Sequence, residues 1–182
     1  MKEKLIVPEF IESRQPTHVG WVPNPDEFSE QLLTTLRTSS TSMFRINPLM
    51  FGPSSDPSLP QFAATFKIII DHYTEHILER DSTVGSFTVD QSLNQRRISR
   101  PHTDGTEDKS VIYSVSDVNP TIFYVQTAKM RSRNKHAFID LKEECVWRPE
   151  PYEIVRFDGC TIHKSPPAVH TLRTFIRVAF YP

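Results

Sequence analysis

The stretch "SRPHTDGTEDK", Ser99 to Lys109, sets His102 and Asp104 two residues apart, just ahead of Gly105. If the chain entering it is extended, residues two apart point to one face. An imidazole and a carboxylate on one face can share a metal ion. His163, in "DGCTIHKSPPAV", is the candidate for a third ligand. The stretch "YEIVRF", the Asp158–Gly159 turn and "CTIH" would carry it back across the molecule as strand, turn, strand. Two imidazoles and one carboxylate occupy one face of an octahedron and leave three positions open. That suits non-haem Fe(II) binding a co-substrate and dioxygen together. Zinc favours a closed tetrahedron or a single open position.

Arg173 follows His163 by ten residues, at the entry to "RTFIRVAF". Its planar fork could hold a carboxylate through two N–H bonds, the anchor a metal-chelated keto-acid needs at its far end. In a strand Arg177 shares a face with Arg173 and Phe175, and two buried arginines side by side are costly unless anions meet them.

Other groups have competing readings. "HYTEH", His72 to His76, has the H-x-x-E-H spelling of inverted zinc proteases, with Glu75 as base. The same histidines also fit the edge of an apolar helix stripe. Arg96, Arg97 and Arg100 could line a pocket mouth and meet an anionic substrate, or form a solvated strand edge. The basic turn from Lys129 to His136 reads as a solvated loop, and His136 and His170 as surface residues. Cys145 and Cys160 read as small buried hydrophobes, Trp21 and Trp147 as packing anchors.

Two kinds of element must position these residues. Before about Ser82 the apolar spacing is helical. "NPDEFSEQLLTTLR" has Asn24 as N-cap and Pro25 at the first helical position, with Asp26 and Glu27 at the positive end of the dipole. Phe28, Leu32, Leu33 and Leu36 fall on one face. A Pro/Ser/Gly-rich loop with one short extended piece follows. "PQFAATFKIIIDHYTEHILERD" is the second helix, with Phe62, Phe66, Ile69, Ile70, Tyr73 and Ile77 on a stripe. From Gly85 the period drops to two. "SFTVDQSL", "SVIYSVSD", "TIFYVQTA", "HAFIDL", "YEIVRF", "CTIH" and "TFIRVAF" are short, β-branched and aromatic, as in a sandwich or barrel. The expectation is one domain, with residues 1–83 as helical support and 84–182 as a β core.

Composition bounds the function. The chain has 182 residues, 37% hydrophobic and 24% charged, enough for a packed core. A net charge of -1 gives no electrostatic case for a nucleic-acid partner. Two cysteines make no disulfide framework. No apolar run reaches membrane-spanning length or reads as a signal peptide, so a cytoplasmic location is expected. Nothing in the sequence sets the oligomeric state.

"PHTDG", "TIHKSPPAVHTLR" and "RTFIRVAF" resemble the H-x-D…H…R pattern of the Fe(II)/2-oxoglutarate-dependent dioxygenases, over roughly Gly85 to Pro182. The resemblance implies a mainly β fold, the double-stranded β-helix (jelly roll, cupin-like). It implies His102, Asp104 and His163 as iron ligands and Arg173 as partner of the distal carboxylate of 2-oxoglutarate. Arg177 is a second candidate for that carboxylate, or faces the substrate. Two features depart from the family. Many members carry Ser or Thr two residues after the arginine, where this chain has Phe175, with Thr174 one residue early. The tyrosine some members place after H-x-D has only Tyr113 near it. Halogenating members have a small residue in place of the carboxylate, so Asp104 favours hydroxylation. The implied reaction hydroxylates an unactivated C–H bond of a small molecule, an amino acid or metabolite, consuming dioxygen and releasing succinate and carbon dioxide. Arg100 is the candidate substrate contact. The alternatives are a non-catalytic metal-binding barrel and a zinc protease using His72, Glu75 and His76.

Overall fold

The alternating stretches after Gly85 form antiparallel strands in the computed structural model. The structure describes residues 10–29, 42–46, 62–77, 84–92, 100–105, 110–130, 138–167 and 173–181, with the backbone alone for 42–46, 77, 84–92 and 139. In chain order the elements are β1 (Phe10–Glu12), β2 (Thr17–Trp21), α1 (Pro25–Ser29), β3 (Ser42–Ile46), α2 (Ala63–Ile77), β4 (Val84–Ser92), β5 (Val111–Ser116), β6 (Ile122–Tyr124), β7 (Thr127–Met130), β8 (Phe138–Ile139), β9 (Val146–Trp147), β10 (Glu153–Asp158), β11 (Ile162–Lys164) and β12 (Arg173–Tyr181).

Six strands make the larger sheet, in the order β2-β10-β5-β12-β4-β3. A smaller sheet, β11-β6-β9, faces it, and a third, β1-β7-β8, covers the smaller sheet. Strand alternation sorts the side chains between layers. From β5, Val111, Tyr113 and Val115 turn outward; from β12, Ile176, Val178 and Phe180 do the same. They pack with Phe28, Phe62, Phe66, Ile69 and Tyr73 of the helical segments, and Tyr73 stacks on Phe180 at 3.8 Å. The opposite face contributes Ile112, Val155, Phe157 and Ala179, which meet Phe123 and Trp147 of the smaller sheet. Ile122, Tyr124 and Ile162 on that sheet's far side pack with Ile11, Ala128 and Met130 of the third. The architecture is mainly β, a double-stranded β-helix with helices on one outer face.

Several elements differ from the sequence reading. The apparent single strand "TIFYVQTA" is two, β6 and β7, which lie in different sheets. Gln126 fixes the corner: its Nε2 donates to the Asp140 carbonyl at 3.1 Å and its Oε1 accepts from the Lys142 N–H at 2.9 Å. Alternation continues through such a corner, so periodicity does not mark it. The N-terminal stretch supplies strands as well as helices: β1 pairs with β7, β2 with β10 and β3 with β4. In α1, the Phe28 N–H reaches the Asn24 carbonyl at 3.0 Å, as expected of a helix that starts there. Leu32, Leu33, Leu36 and the side chain of Ile77 lie outside the described residues.

Candidate metal centre

A short antiparallel bridge builds the site. His102 and His163 exchange backbone hydrogen bonds, each N–H to the other's carbonyl at 2.9 Å. Directly opposed residues of an antiparallel pair share a face, and the two imidazole centroids lie 4.5 Å apart. Asp104, two residues on, joins the same face, while Thr103 between them is fully buried. One ligating atom from each of His102, Asp104 and His163 lies within 4.8 Å of the others, and no further group of three such ligands occurs among the described residues. β11 itself is anchored from a distance, because the Ile162 N–H donates to Ser13 Oγ at 2.8 Å. The turn before it is closed by Asp158, whose Oδ1 accepts from the Cys160 N–H and the Thr161 hydroxyl, both at 2.9 Å.

The hydrogen bonds orient the donors. His102 Nδ1 lies 2.8 Å from the Arg100 carbonyl, and His163 Nδ1 lies 2.9 Å from the Thr161 carbonyl. A carbonyl only accepts, so each Nδ1 carries the proton and each Nε2 keeps its lone pair for a metal. His163 is buried against Phe157 and Phe123. That burial outweighs the nearby Asp104 and pushes its pKa down to about 4. Burial acts to raise the Asp104 pKa, but His163 and Arg177 outweigh it and hold the carboxyl below its usual range. His163 is therefore a neutral imidazole and Asp104 a carboxylate at neutral pH. These are the protonation states a metal requires, and the donor set fits iron.

A cavity of about 250 Å³ opens over the cluster, lined also by Thr121, Ser165, Arg173, Phe175 and Arg177. Arg173 is buried; its Nε donates to Ser116 Oγ at 3.0 Å and to the Val118 carbonyl at 3.2 Å. Its guanidinium lies 4.6 Å from the centre of the Phe175 ring. Phe175, at the position where the family pattern has Ser or Thr, thus supplies a cation–π contact. Thr174 points away, and its N–H is held by Asp117 Oδ1 at 2.9 Å. Arg177 donates from Nη2 to Asp104 Oδ2 at 2.6 Å.

Other candidates lie elsewhere. Arg100 is exposed and touches the site through its backbone carbonyl, and its side chain does not line the cavity. Tyr113 faces the helices, where its hydroxyl and His72 Nδ1 share a hydrogen bond at 3.0 Å. The His72 and His76 rings lie 4.5 Å apart, tilted to each other, but no third ligand joins them or Glu75 among the described residues. Arg96, Arg97, His136 and His170 lie outside the described residues. Sequence reasoning missed Ser116, Asp117, Thr121 and Ser165. Ser116 was recoverable, since it sits opposite Phe175 in the β5–β12 ladder.

The fold, a double-stranded β-helix, is shared with solved structures. The chain is similar to a solved non-haem monooxygenase, ThoJ in its apo form, with a TM-score of 0.53 at 12% identity, over 96% of this chain and 74% of that one. AviO1 from Streptomyces viridochromogenes gives a TM-score of 0.49 at 12% identity, over 94% and 91% of the two chains. A Pseudomonas putida prolyl-4-hydroxylase gives 0.47 at 14%, over 91% and 93%. No family model and no curated protein matches the sequence. No helix among the described residues is long and apolar enough to cross a membrane.

Proposed function

We propose that this protein is an Fe(II)- and 2-oxoglutarate-dependent dioxygenase that hydroxylates an unactivated C–H bond of a small molecule, an amino acid or other metabolite. The observation that carries the reading is the His102–His163 bridge, which gathers two imidazoles and the Asp104 carboxylate beside a cavity that also holds Arg173. Iron bound there, with 2-oxoglutarate and dioxygen, supplies the oxidising power, and succinate and carbon dioxide are the by-products.

The protein's own residues do the rest. His102, Asp104 and His163 would hold the metal. The two backbone carbonyls keep the imidazoles in the ligating tautomer. Arg173, fixed by Ser116 and Val118, receives the distal carboxylate of 2-oxoglutarate through its planar fork. Phe123, Phe157 and Phe175 give the site apolar walls that limit water. The small cavity favours a small substrate.

Succinate formation tests the reading. Purified protein with Fe(II), 2-oxoglutarate and dioxygen is screened against amino acids and small metabolites. The expected result is substrate-stimulated succinate that disappears in His163→Ala. Iron-loaded protein that never exceeds the His163→Ala background across the screen indicates a metal-binding barrel without turnover.

A further inference from the structure

Arg173 and Arg177 lie four residues apart on the cavity face of β12, with Phe175 between them. Their hydrogen bonds go to different kinds of partner. Arg173 donates to a serine hydroxyl and a backbone carbonyl. Arg177 donates to a carboxylate, Asp104 Oδ2, at a charge-assisted 2.6 Å. The same oxygen lies 3.6 Å from His163 Nε2, so it sits between the guanidinium and an imidazole of the cluster. Neither partner is a free surface group: the Asp104 and Arg177 side chains are 23% and 21% exposed. The backbone around Asp104 is tied by the Gly105 N–H to the Gly159 carbonyl at 2.8 Å. That bond places the Cα but leaves the two side-chain torsions to be set by what the carboxylate meets.

We infer that Arg177 is a positioning residue of the metal centre. It holds the Asp104 carboxylate toward His163, and it leaves the co-substrate's distal carboxylate to Arg173 alone. The inference rests on the metal-site reading above and deepens it by dividing the roles of the two arginines. Two effects of Arg177 on a bound dication oppose each other. Its charge repels the ion, and its hydrogen bond orders the ligand. If ordering dominates, removing the guanidinium weakens metal binding; if repulsion dominates, removal leaves binding unchanged or tighter.

The test uses Mn(II) alone, without 2-oxoglutarate, and follows free and bound ion by electron paramagnetic resonance. Wild type, Arg177→Met, Arg177→Lys and Arg173→Met are compared well below their melting temperatures, which are measured in parallel. Arg177→Met is expected to weaken Mn(II) binding by about 10–100-fold, the usual effect of losing a partner of a metal ligand. Arg177→Lys, which keeps a cationic donor of similar reach, is expected to restore most of the affinity and the line shape of the bound ion. Arg173→Met is expected to stay close to wild type. If Arg177→Met does not fold, Arg177→Gln replaces it under the same expectation. Unchanged or tighter binding on loss of Arg177, or an equal loss in Arg173→Met, overturns the division of roles. Wild type that binds no Mn(II) overturns the metal-site reading itself, which separates the two failures.

Discussion

At the scale of single residues, ligand type and local spacing carried most of the information. His102 and Asp104 could be paired from sequence because a two-residue step in extended chain fixes a common face. His163 was suggested by its strand-turn-strand context, and Arg173 by its place ten residues on at the entry to a strand. The groups that prepare them were less legible. The carbonyls of Arg100 and Thr161 set the imidazole tautomers, and backbone acceptors have no sequence signature. The Asp104 partner of Arg177 was hidden too, because the contact joins residues far apart in the chain. Arg173 gives the sharpest residue-level prediction. Arg173→Lys keeps the charge but loses the two-pronged donor, so 2-oxoglutarate affinity should fall by roughly tenfold. Calorimetry with Mn(II)-loaded protein checks this, with metal affinity expected to hold. An unchanged keto-acid affinity places the carboxylate elsewhere.

Elements join through buried polar contacts that their own patterns do not announce. Asp117 ends β5 and stitches it to the start of β12: its Oδ1 accepts from the Val118 N–H at 2.6 Å and the Thr174 N–H at 2.9 Å. Burial raises its pKa, and those hydrogen bonds offset the rise only in part. Asp117→Ala leaves two N–H groups without their acceptor, at about 1–3 kcal/mol for each that water cannot reach. Asp117→Asn keeps an acceptor and should lose much less; urea denaturation of the two variants measures the difference. His72 joins α2 to β5 through Tyr113. Burial, then the neighbouring His76 and Arg156, lowers its pKa below 6.5. The unfolded chain therefore takes up a proton that the folded chain resists. Stability should fall as pH drops from about 6.5 toward the lowered folded value, and level off below it. Thermal melts across that window should show a shallower acid slope in His72→Gln. An identical slope would assign the acid sensitivity to other groups.

At the scale of the whole molecule, the change of period at Gly85 made the β core legible, and the helical stripe of α2 announced the layer that covers it. The order of strands was not legible. The corner at Val125–Gln126 moves the chain from one sheet to another without breaking alternation. The short strands β1 and β2, "FIE" and "THVGW", are too brief and too polar to stand out from loop. The layering separates α2, on the outer face of the larger sheet, from the His102–Asp104–His163 cluster on the inner side. Tyr73→Ala, which removes a buried ring stacked on Phe180, should cost about 3–5 kcal/mol of stability. Metal affinity per folded molecule should not change, as paired denaturation and metal titration can establish.

His102, Asp104 and His163 are proposed to hold an iron that 2-oxoglutarate chelates against Arg173. The most direct measurement is anaerobic. Fe(II) and then 2-oxoglutarate are added to the purified protein, and the visible charge-transfer absorption of a chelated keto-acid is followed. The band is expected to appear in wild type, to be absent in His163→Ala and to need more 2-oxoglutarate in Arg173→Ala. Wild type that binds Fe(II) and gives no band on adding 2-oxoglutarate would contradict that proposal.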